Sequence, residues 1–276
     1  MKKILFPTDF SEVATNAFVH ALEFANKVKG ELVLLHTFEL PVYDNQFFPE
    51  NYNMLFDSIQ LSEFEMFKEE IAKLRTIAEE LKLDKIKMSH RLMDGNLVYN
   101  IKRAIKEDEI KFVIMGTAGA SGWEAFFLGT NAGSVISTIN IPVLCIPLEA
   151  KFKKIETIGF TTRYREKDQK ALKDVLKIAK KMEAKVKCLY VKTGSSDVSV
   201  DTIKHWETEF ENEPVQFTVI PSDEVKETIL DFVLFKDIDM LAMLTYKRNF
   251  FIELFKPSLT QKIANDSTIP ILAVHE

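Results

Sequence analysis

The chain has 276 residues, of which 46% are hydrophobic and 28% charged, and its formal net charge is −5. This balance is typical of a folded globular protein, and it excludes a disordered chain, a collagen-like chain and, with two cysteines, a disulfide scaffold. The charge gives no general attraction to nucleic acid or to an anionic membrane, so we expect neither as a partner.

We expect a cytoplasmic protein. Pro7 and Asp9 interrupt the first apolar residues before they form the core of a signal peptide. No stretch approaches the ~18 apolar residues that span a bilayer. Cys145 and Cys188 both lie inside apolar runs, so they are predicted to be core residues rather than ligands or a bridge.

The first half of the chain is repeated in the second. Lys2-Lys3-Ile4 is echoed by Lys153-Lys154-Ile155, and each copy continues with a short apolar strand, an amphipathic helix and a second apolar strand. The matched segments are 4–8 and 157–161 for the first strand, 14–28 and 171–179 for the helix, and 31–37 and 185–191 for the second strand.

The ends of the two copies match without a gap over 26 positions, because a shift of 128 carries Thr117 to Thr245 and Pro142 to Pro270. Apolar strands that alternate with helices are typical of a parallel sheet covered on both faces. We therefore predict two tandem α/β domains of five strands each, residues 1–149 and 150–276. The fourth strands are 112–115 and 240–243, and the fifth are 142–146 and 270–274.

The middle of the first copy is longer than that of the second. Residues 40–58 are predicted to form an aromatic-rich connection, either a flap folded on its own domain or an exposed patch for a second subunit. Ser62 and Glu65 predict a capping box at the start of the next helix. Apolar residues over 64–81 recur at three- and four-residue steps, which favours a core-facing helix over a coiled-coil seam.

A glycine-rich segment, residues 116–134, follows the fourth strand of the first copy. Glycines in this place permit tight turns and bring backbone N–H groups close to an anion. Gly129-Thr130-Asn131 resembles the start of a helix, whose N-terminus favours the same negative charge. The segment predicts phosphate binding at the carboxyl edge of the sheet, and the alternative is a tight turn without a ligand.

Polar residues also end the first two strands at this edge. Asp9 follows Pro7 and Thr8 at the end of the first strand, and Thr37 ends the second. A carboxylate at Asp9 accepts hydrogen bonds from a ribose or a base. Equally, Asp9 or Ser11 caps the first helix.

Together these residues resemble the universal stress proteins. The ATP-binding members of that family carry G-x2-G-x9-G-[S/T] after strand four, and Gly116, Gly119, Gly129 and Thr130 satisfy this spacing. The segments 4–11, Leu34-Leu35-His36 and 141–144 also look like family features. The resemblance covers both copies.

The resemblance implies Rossmann-like domains of the adenine nucleotide alpha hydrolase type, with strand order 3-2-1-4-5. It implies that the first copy binds ATP or another adenine nucleotide, with or without Mg²⁺. It also implies that two such domains pair through their last strands, as an intramolecular pseudo-dimer or a homodimer. Implied nucleotide-binding residues are Pro7, Thr8, Asp9 and Thr37 around adenine and ribose, and Met115, Gly116, Thr117, Gly119, Gly129, Thr130 and Asn131 around ribose and phosphates.

Two departures from the family pattern bear on the site. Ala118 stands where many members have histidine, which a backbone-mediated phosphate site tolerates. In the second copy, the shift of 128 places bulky or constrained residues at the motif positions, and Thr162 near the place of Asp9. We therefore expect the second copy to have lost the nucleotide. The replacements are Leu244, Lys247, Pro257 and Ser258 for Gly116, Gly119, Gly129 and Thr130.

The sequence offers little for catalysis. It contains no Gly-x4-Gly-Lys loop, and its five histidines lack metal-ligand spacing, so we predict no catalytic and no metal-binding residues. The favoured function is a nucleotide-binding stress-response or regulatory module. The alternatives are a slow ATP hydrolase, in which Asp9 positions water or Mg²⁺, and a ligand-free interaction scaffold that uses residues 40–58.

Overall fold

The computed structural model describes residues 2–39, 49–117, 130–245 and 269–275. Within these ranges, no helix has both the length and the apolar character needed to cross a bilayer. The chain divides into two compact units, Met1–Met115 and Gly116–Glu276.

The first unit is a parallel sheet in the order β3-β2-β1-β4 with three helices. Its core is the pair of central strands, in which Ile4, Leu5 and Phe6 of β1 are fully buried. The elements are β1 (Lys3–Pro7), α1 (Glu12–Val28), β2 (Glu31–Phe38), α2 (Pro49–Glu80), β3 (Met88–Asp94), α3 (Leu97–Glu107) and β4 (Ile110–Thr117), whose last two residues pass into the second unit.

Helix α2 begins earlier than the sequence predicted. It already includes Ser62, so the expected capping box is wrong, and the first residue of the helix is Pro49, a position that suits proline because its missing N–H is not needed there. Residues 40–48 of the expected connection lie outside the described residues. The core-facing prediction is confirmed for the middle of the helix, where Phe67, Ile71, Leu74 and Ala78 are buried, whereas Phe64 and Leu81 are exposed.

The second unit has a parallel sheet in the order β8-β7-β6-β9-β10, which is the order 3-2-1-4-5 that the family resemblance implied for the second copy. Its elements are α4 (Thr130–Ile136), β5 (Val143–Pro147), β6 (Thr157–Thr161), α5 (Glu166–Met182), β7 (Lys185–Lys192), α6 (Val200–Glu209), β8 (Val215–Pro221), α7 (Val225–Phe235), β9 (Met240–Leu244) and β10 (Ile271–Val274).

The last strand of the first copy pairs with the last strand of the second. β5 and β10 run antiparallel, with Leu144 opposite Leu272 and Cys145 opposite Ile271. Because of this pairing, β5 belongs to the second compact unit. The domain boundary after residue 149 follows the sequence repeat and stays a prediction.

Both cysteines are core residues, as the sequence predicted. Cys145 on β5 and Cys188 on β7 are fully buried. Burial disfavours the thiolate and raises the pKa of both thiols. Neither group is therefore suited to act as a nucleophile.

Candidate functional site

The residue that follows strand β1 is a threonine held by its backbone and by its side chain. Thr8 is buried, and its N–H donates to the carbonyl of Leu35 on β2 at 2.9 Å. Its hydroxyl oxygen accepts the N–H of Phe10 at 3.0 Å, and its carbonyl oxygen lies 2.8 Å from Nδ1 of His36. These bonds fix the turn that presents Asp9 at the carboxyl end of β1.

The structure decides which residue caps the first helix. Ser11 is the N-cap of α1, and its hydroxyl oxygen accepts the N–H of Ala14 at 3.3 Å. Asp9 is exposed, and its Oδ1 accepts the N–H and the hydroxyl of Ser11 at 3.1 and 2.6 Å. Within the described part of the chain, nothing hydrogen-bonds Oδ2 of Asp9. That oxygen is therefore available to accept a hydrogen bond from a ligand.

Aromatic rings border the same end of β1 and β2. Phe10 has a φ of 61° and lies against His36, with ring centroids 4.9 Å apart. Phe67 of α2 approaches both, at 6.0 Å from Phe10 and 6.2 Å from His36. Nε2 of His36 is 3.9 Å from the carboxylate of Glu63. The next residue, Thr37, is half-buried, so this edge of the sheet offers ring faces and a hydroxyl group.

The elements on either side of the glycine-rich segment are as the sequence predicted. β4 ends at Thr117, with Met115 and Thr117 buried and Gly116 half-buried. Helix α4 begins at Thr130, and Asn131 in its first turn is exposed. The segment therefore connects a strand end to a helix start. The predicted site residues Gly119 and Gly129 lie outside the described residues.

The second copy contains a cavity of about 450 Å³ at the carboxyl ends of its strands. The strands line one side of it with Thr161 of β6, Leu189–Val191 of β7, and Met243 and Leu244 of β9. Residues of α7 and of the loops after β6 and β7 also line it. β6 lies between β7 and β9 in the sheet. The cavity is therefore at the point where the strand order reverses, which is where open parallel sheets bind ligands.

The two copies share one turn but differ in its charge. Thr162 is equivalent to Thr8, because each is buried and each donates its N–H at 2.9 Å to a leucine carbonyl of the neighbouring strand. Arg163, the residue after Thr162, therefore stands in the place of Asp9, so Thr162 lies next to that place, as the sequence indicated. The Arg163 side chain is exposed, and it forms no hydrogen bond or ion pair with the residues that the structure describes.

A buried carboxylate organises this turn. Asp168 lies in the first turn of α5 and is fully buried. Its Oδ2 accepts the hydroxyl of Thr162 at 3.2 Å and the N–H groups of Arg163 and Arg165 at 2.7 and 3.1 Å. Its Oδ1 has no partner among the described residues. Asp168 is not among the residues predicted from the sequence, because the N-cap three positions before it is Arg165 and not one of the residue types that mark a capping box.

Charged and hydroxyl groups also line one side of the cavity. Arg165 forms an ion pair with Asp197, with Nη2 2.8 and 3.0 Å from the two carboxylate oxygens, and this hydrogen bond lowers the pKa of Asp197. In the next loop, the N–H of Thr193 donates to the hydroxyl of Ser196 at 2.9 Å, and the hydroxyls of Thr193 and Ser195 are 3.2 Å apart. These groups supply several hydrogen-bond donors.

The strands line the cavity with apolar side chains at positions where the first copy has a small or a polar residue. Leu244 is buried at the position that matches Gly116, and Val191 matches Thr37. The other replacements that the sequence analysis identified, Lys247, Pro257 and Ser258, lie outside the described residues. The two copies thus differ in the chemistry that they present at the same edge.

Comparisons with known proteins identify the family. Residues 1–147 match the model of the universal stress protein family. Two curated proteins of Methanocaldococcus jannaschii are similar: universal stress protein MJ0577, 28% identical over 152 residues (52% of this chain and 94% of that one), and MJ0531, 25% identical over 145 residues (52% and 81%). The chain therefore belongs to the universal stress protein family, which confirms the resemblance seen in the sequence.

The fold of the whole chain also has a solved counterpart. A crystal structure of a universal stress protein from Archaeoglobus fulgidus superposes with a TM-score of 0.70, and the match covers 99% of this chain and 96% of that one. The two sequences are 17% identical over this match. The comparison confirms the tandem α/β fold class.

Proposed function

We propose that the first copy binds an adenine nucleotide, ATP in the first instance, and that the protein acts as a nucleotide-dependent stress-response or regulatory module. The nucleotide domain comprises residues 1–149, and the second domain, residues 150–276, does not bind that nucleotide. The binding residues are those that the family resemblance implies, from Pro7, Thr8, Asp9, Thr37 and Met115 through Gly116, Thr117, Gly119 and Gly129 to Thr130 and Asn131.

The contrast between the two copies near the end of the fourth strand carries this proposal. Gly116 is the second-last residue of β4, whereas the matched residue of β9 is Leu244, whose side chain is buried. Further along, the first sequence has Gly129 where the second has Pro257. Glycine lets backbone N–H groups approach a phosphate closely, and a leucine or proline side chain takes that space.

Asp9, which is predicted to lie near the adenine and ribose, independently supports the proposal that the first copy binds a nucleotide. Its carboxylate is exposed at the carboxyl end of β1, and Ser11 holds Oδ1 in place. Ribose hydroxyls are hydrogen-bond donors, and a carboxylate oxygen that the neighbouring residues leave unbonded is a suitable acceptor. Since Ser11 caps α1, helix capping does not require Asp9.

The first experiment identifies what the purified protein carries. The protein is prepared without added nucleotide and denatured, and the released small molecules are quantified by chromatography and mass spectrometry. We expect about one adenine nucleotide per chain, or, where none co-purifies, one calorimetric site for ATP, measured with and without Mg²⁺. Two adenine nucleotides per chain would contradict an empty second copy.

A matched pair of variants then tests the location of the site. Gly129→Val should weaken ATP binding by about tenfold or more, because the new side chain occupies the space of the phosphates. Pro257→Val, at the equivalent position of the second copy, should leave the affinity unchanged. Circular dichroism shows whether each variant is folded. A folded Gly129→Val protein with normal ATP affinity refutes the assignment.

A further inference from the structure

The cavity of the second copy has the features of a binding site that differs from the nucleotide site proposed above. It encloses about 450 Å³, within the range of small-molecule sites. Its walls come from β6, β7, β9, α5, α7 and the loops after β6 and β7, all in the second compact unit. None of the lining residues belongs to the nucleotide site proposed for the first copy.

One side of the cavity suits an anion. Arg163 lines it with an exposed guanidinium that forms no ion pair with any described residue, whereas the neighbouring Arg165 is engaged by Asp197. The hydroxyls of Thr193 and Ser195 line the cavity as well. A guanidinium supported by hydroxyl donors is the arrangement that binds carboxylates and phosphates, because its parallel N–H groups match two oxygens of one anion.

Asp168 requires a hydrogen-bond donor that the described residues do not provide. It lines the cavity and is 0% exposed, and three donors already satisfy its Oδ2. Its Oδ1 is buried without a partner, and a buried acceptor in that state is destabilising. An N–H or O–H group of a ligand would satisfy this oxygen.

The remaining walls are apolar. Val191 and Leu244 come from the strands, and Val225 and Ile229 come from α7. These side chains do not solvate a chain of phosphates, but they pack well against a ring or a short hydrocarbon chain.

We propose that this cavity binds a small amphiphilic anion, with a carboxylate or a phosphate monoester at Arg163, an N–H or O–H donor at Asp168, and a ring or short apolar chain against Leu244 and Ile229. The second copy is then a second ligand site with its own chemistry, not an inactive duplicate of the first.

Two methionines at matched positions make the test specific to one copy. Met243 lines the cavity, and Met115 lies 128 residues earlier at the end of β4. The full chain is labelled with ¹³C-methyl methionine, and each of the two signals is assigned from a Met→Leu variant. The labelled protein is then titrated with uridine 5′-monophosphate in one experiment and with L-tryptophan in a second, which distinguishes a phosphate from a carboxylate ligand.

We expect at least one probe to shift the Met243 methyl signal in a saturable way, with a dissociation constant at or below about 1 mM, while the Met115 signal does not move. Arg163→Glu should weaken this binding about tenfold or more, because it removes a charge-assisted hydrogen bond. Lys181→Glu, with the same charge change on an exposed residue of α5 outside the cavity, should leave it unchanged.

A second pair of variants tests the cavity without altering charge. Val198→Trp places an indole at a lining residue and should abolish binding, whereas Val200→Trp adds the same group at an exposed residue outside the cavity and should not. The proposal is overturned if neither probe shifts Met243, if only Met115 responds, or if binding survives both Arg163→Glu and Val198→Trp.

Discussion

Asp9 and Arg163 occupy the same place on two copies of one backbone turn. In each copy a buried threonine precedes the charged residue, and an aromatic residue with positive φ follows it: Phe10 at 61° and Tyr164 at 54°. The backbone is conserved between the copies while the charge at its tip is reversed. A single substitution of this kind changes which ligands the edge of a sheet attracts without altering the sheet.

The same two turns cap their helices in different ways, and this leads to a prediction. Ser11→Ala should destabilise the protein by about 1 kcal/mol, because the N–H of Ala14 loses its acceptor at the start of α1. Arg165→Ala, at the N-cap of α5, should change stability by less than about 0.5 kcal/mol, because Asp168 rather than the arginine side chain accepts the N–H groups there.

Urea unfolding followed by circular dichroism measures both effects. Ser11→Asp serves as the control, since aspartate is an equally good cap and should retain the stability. Equal losses in Ser11→Ala and Arg165→Ala would contradict the assigned caps.

For single residues, the sequence identified two candidate caps for α1 but did not distinguish between them. Asp9 and Ser11 are both side-chain acceptors just before a helix, so residue type alone leaves either as the cap. Only the position of the Ser11 hydroxyl, 3.3 Å from the N–H of Ala14, decides the matter. Asp168 was missed for a related reason, because its importance depends on burial, which one sequence does not show.

Helix α2 shows how one element combines a buried face with exposed aromatic residues. Phe67 is 7% exposed and approaches Phe10 and His36, whereas Phe64, one turn earlier, is 55% exposed. The helical period of the sequence predicted both residues on the apolar face. Their different burial depends on where the neighbouring elements cover the helix.

Because Phe67 is buried and Phe64 is exposed, truncating each to alanine should lower the free energy of unfolding by different amounts. Phe67→Ala should lower the free energy of unfolding by about 3 kcal/mol, because it leaves a cavity beside Phe10 and His36. Phe64→Ala should cost less than about 0.5 kcal/mol. Urea denaturation of the two variants provides the comparison, and similar losses would show that α2 does not pack as described.

The strands were easier to predict than the start of α2. Buried parallel strands are short apolar runs, and the repeat supplied each run twice, so the sequence placed eight of them close to their observed positions. The predicted connection over 40–58 rested on its aromatic content, and Pro49 was not recognised as the first residue of a helix. Proline is compatible with both a loop and a first helical turn, so the local sequence does not distinguish them.

At the scale of the whole molecule, the pairing of β5 with β10 connects the last strands of the two copies. Cys145 lies in β5 opposite Ile271, whereas Cys188 lies in β7 between β6 and β8. The chain thus has one natural thiol in the β5–β10 pair and another away from it. Both are fully buried.

These thiols report on the pairing. In the full chain, we expect both to react slowly with a thiol reagent. A chain that ends at residue 268 lacks β10, and its Cys145 should react at least about tenfold faster than in the full chain, since removing a neighbouring strand lowers the free energy of local opening. Cys188 should change much less. Separate Cys145→Ala and Cys188→Ala variants assign the two rates, and unchanged labelling of Cys145 would contradict the pairing.

The β5–β10 pairing also sets the order in which the chain can complete its structure during synthesis. β5 leaves the ribosome before the whole second copy, and β10, the strand that hydrogen-bonds it, is made only after β6, β7, β8 and β9. At about 5–20 residues per second, the edge of Val143–Pro147 that awaits β10 stays unpaired for roughly 6–25 seconds. An apolar strand edge in that state pairs readily with another chain. Each nascent chain thus passes through the same state as the truncated protein, and its yield in the cell depends on how well that edge is protected until β10 has been made.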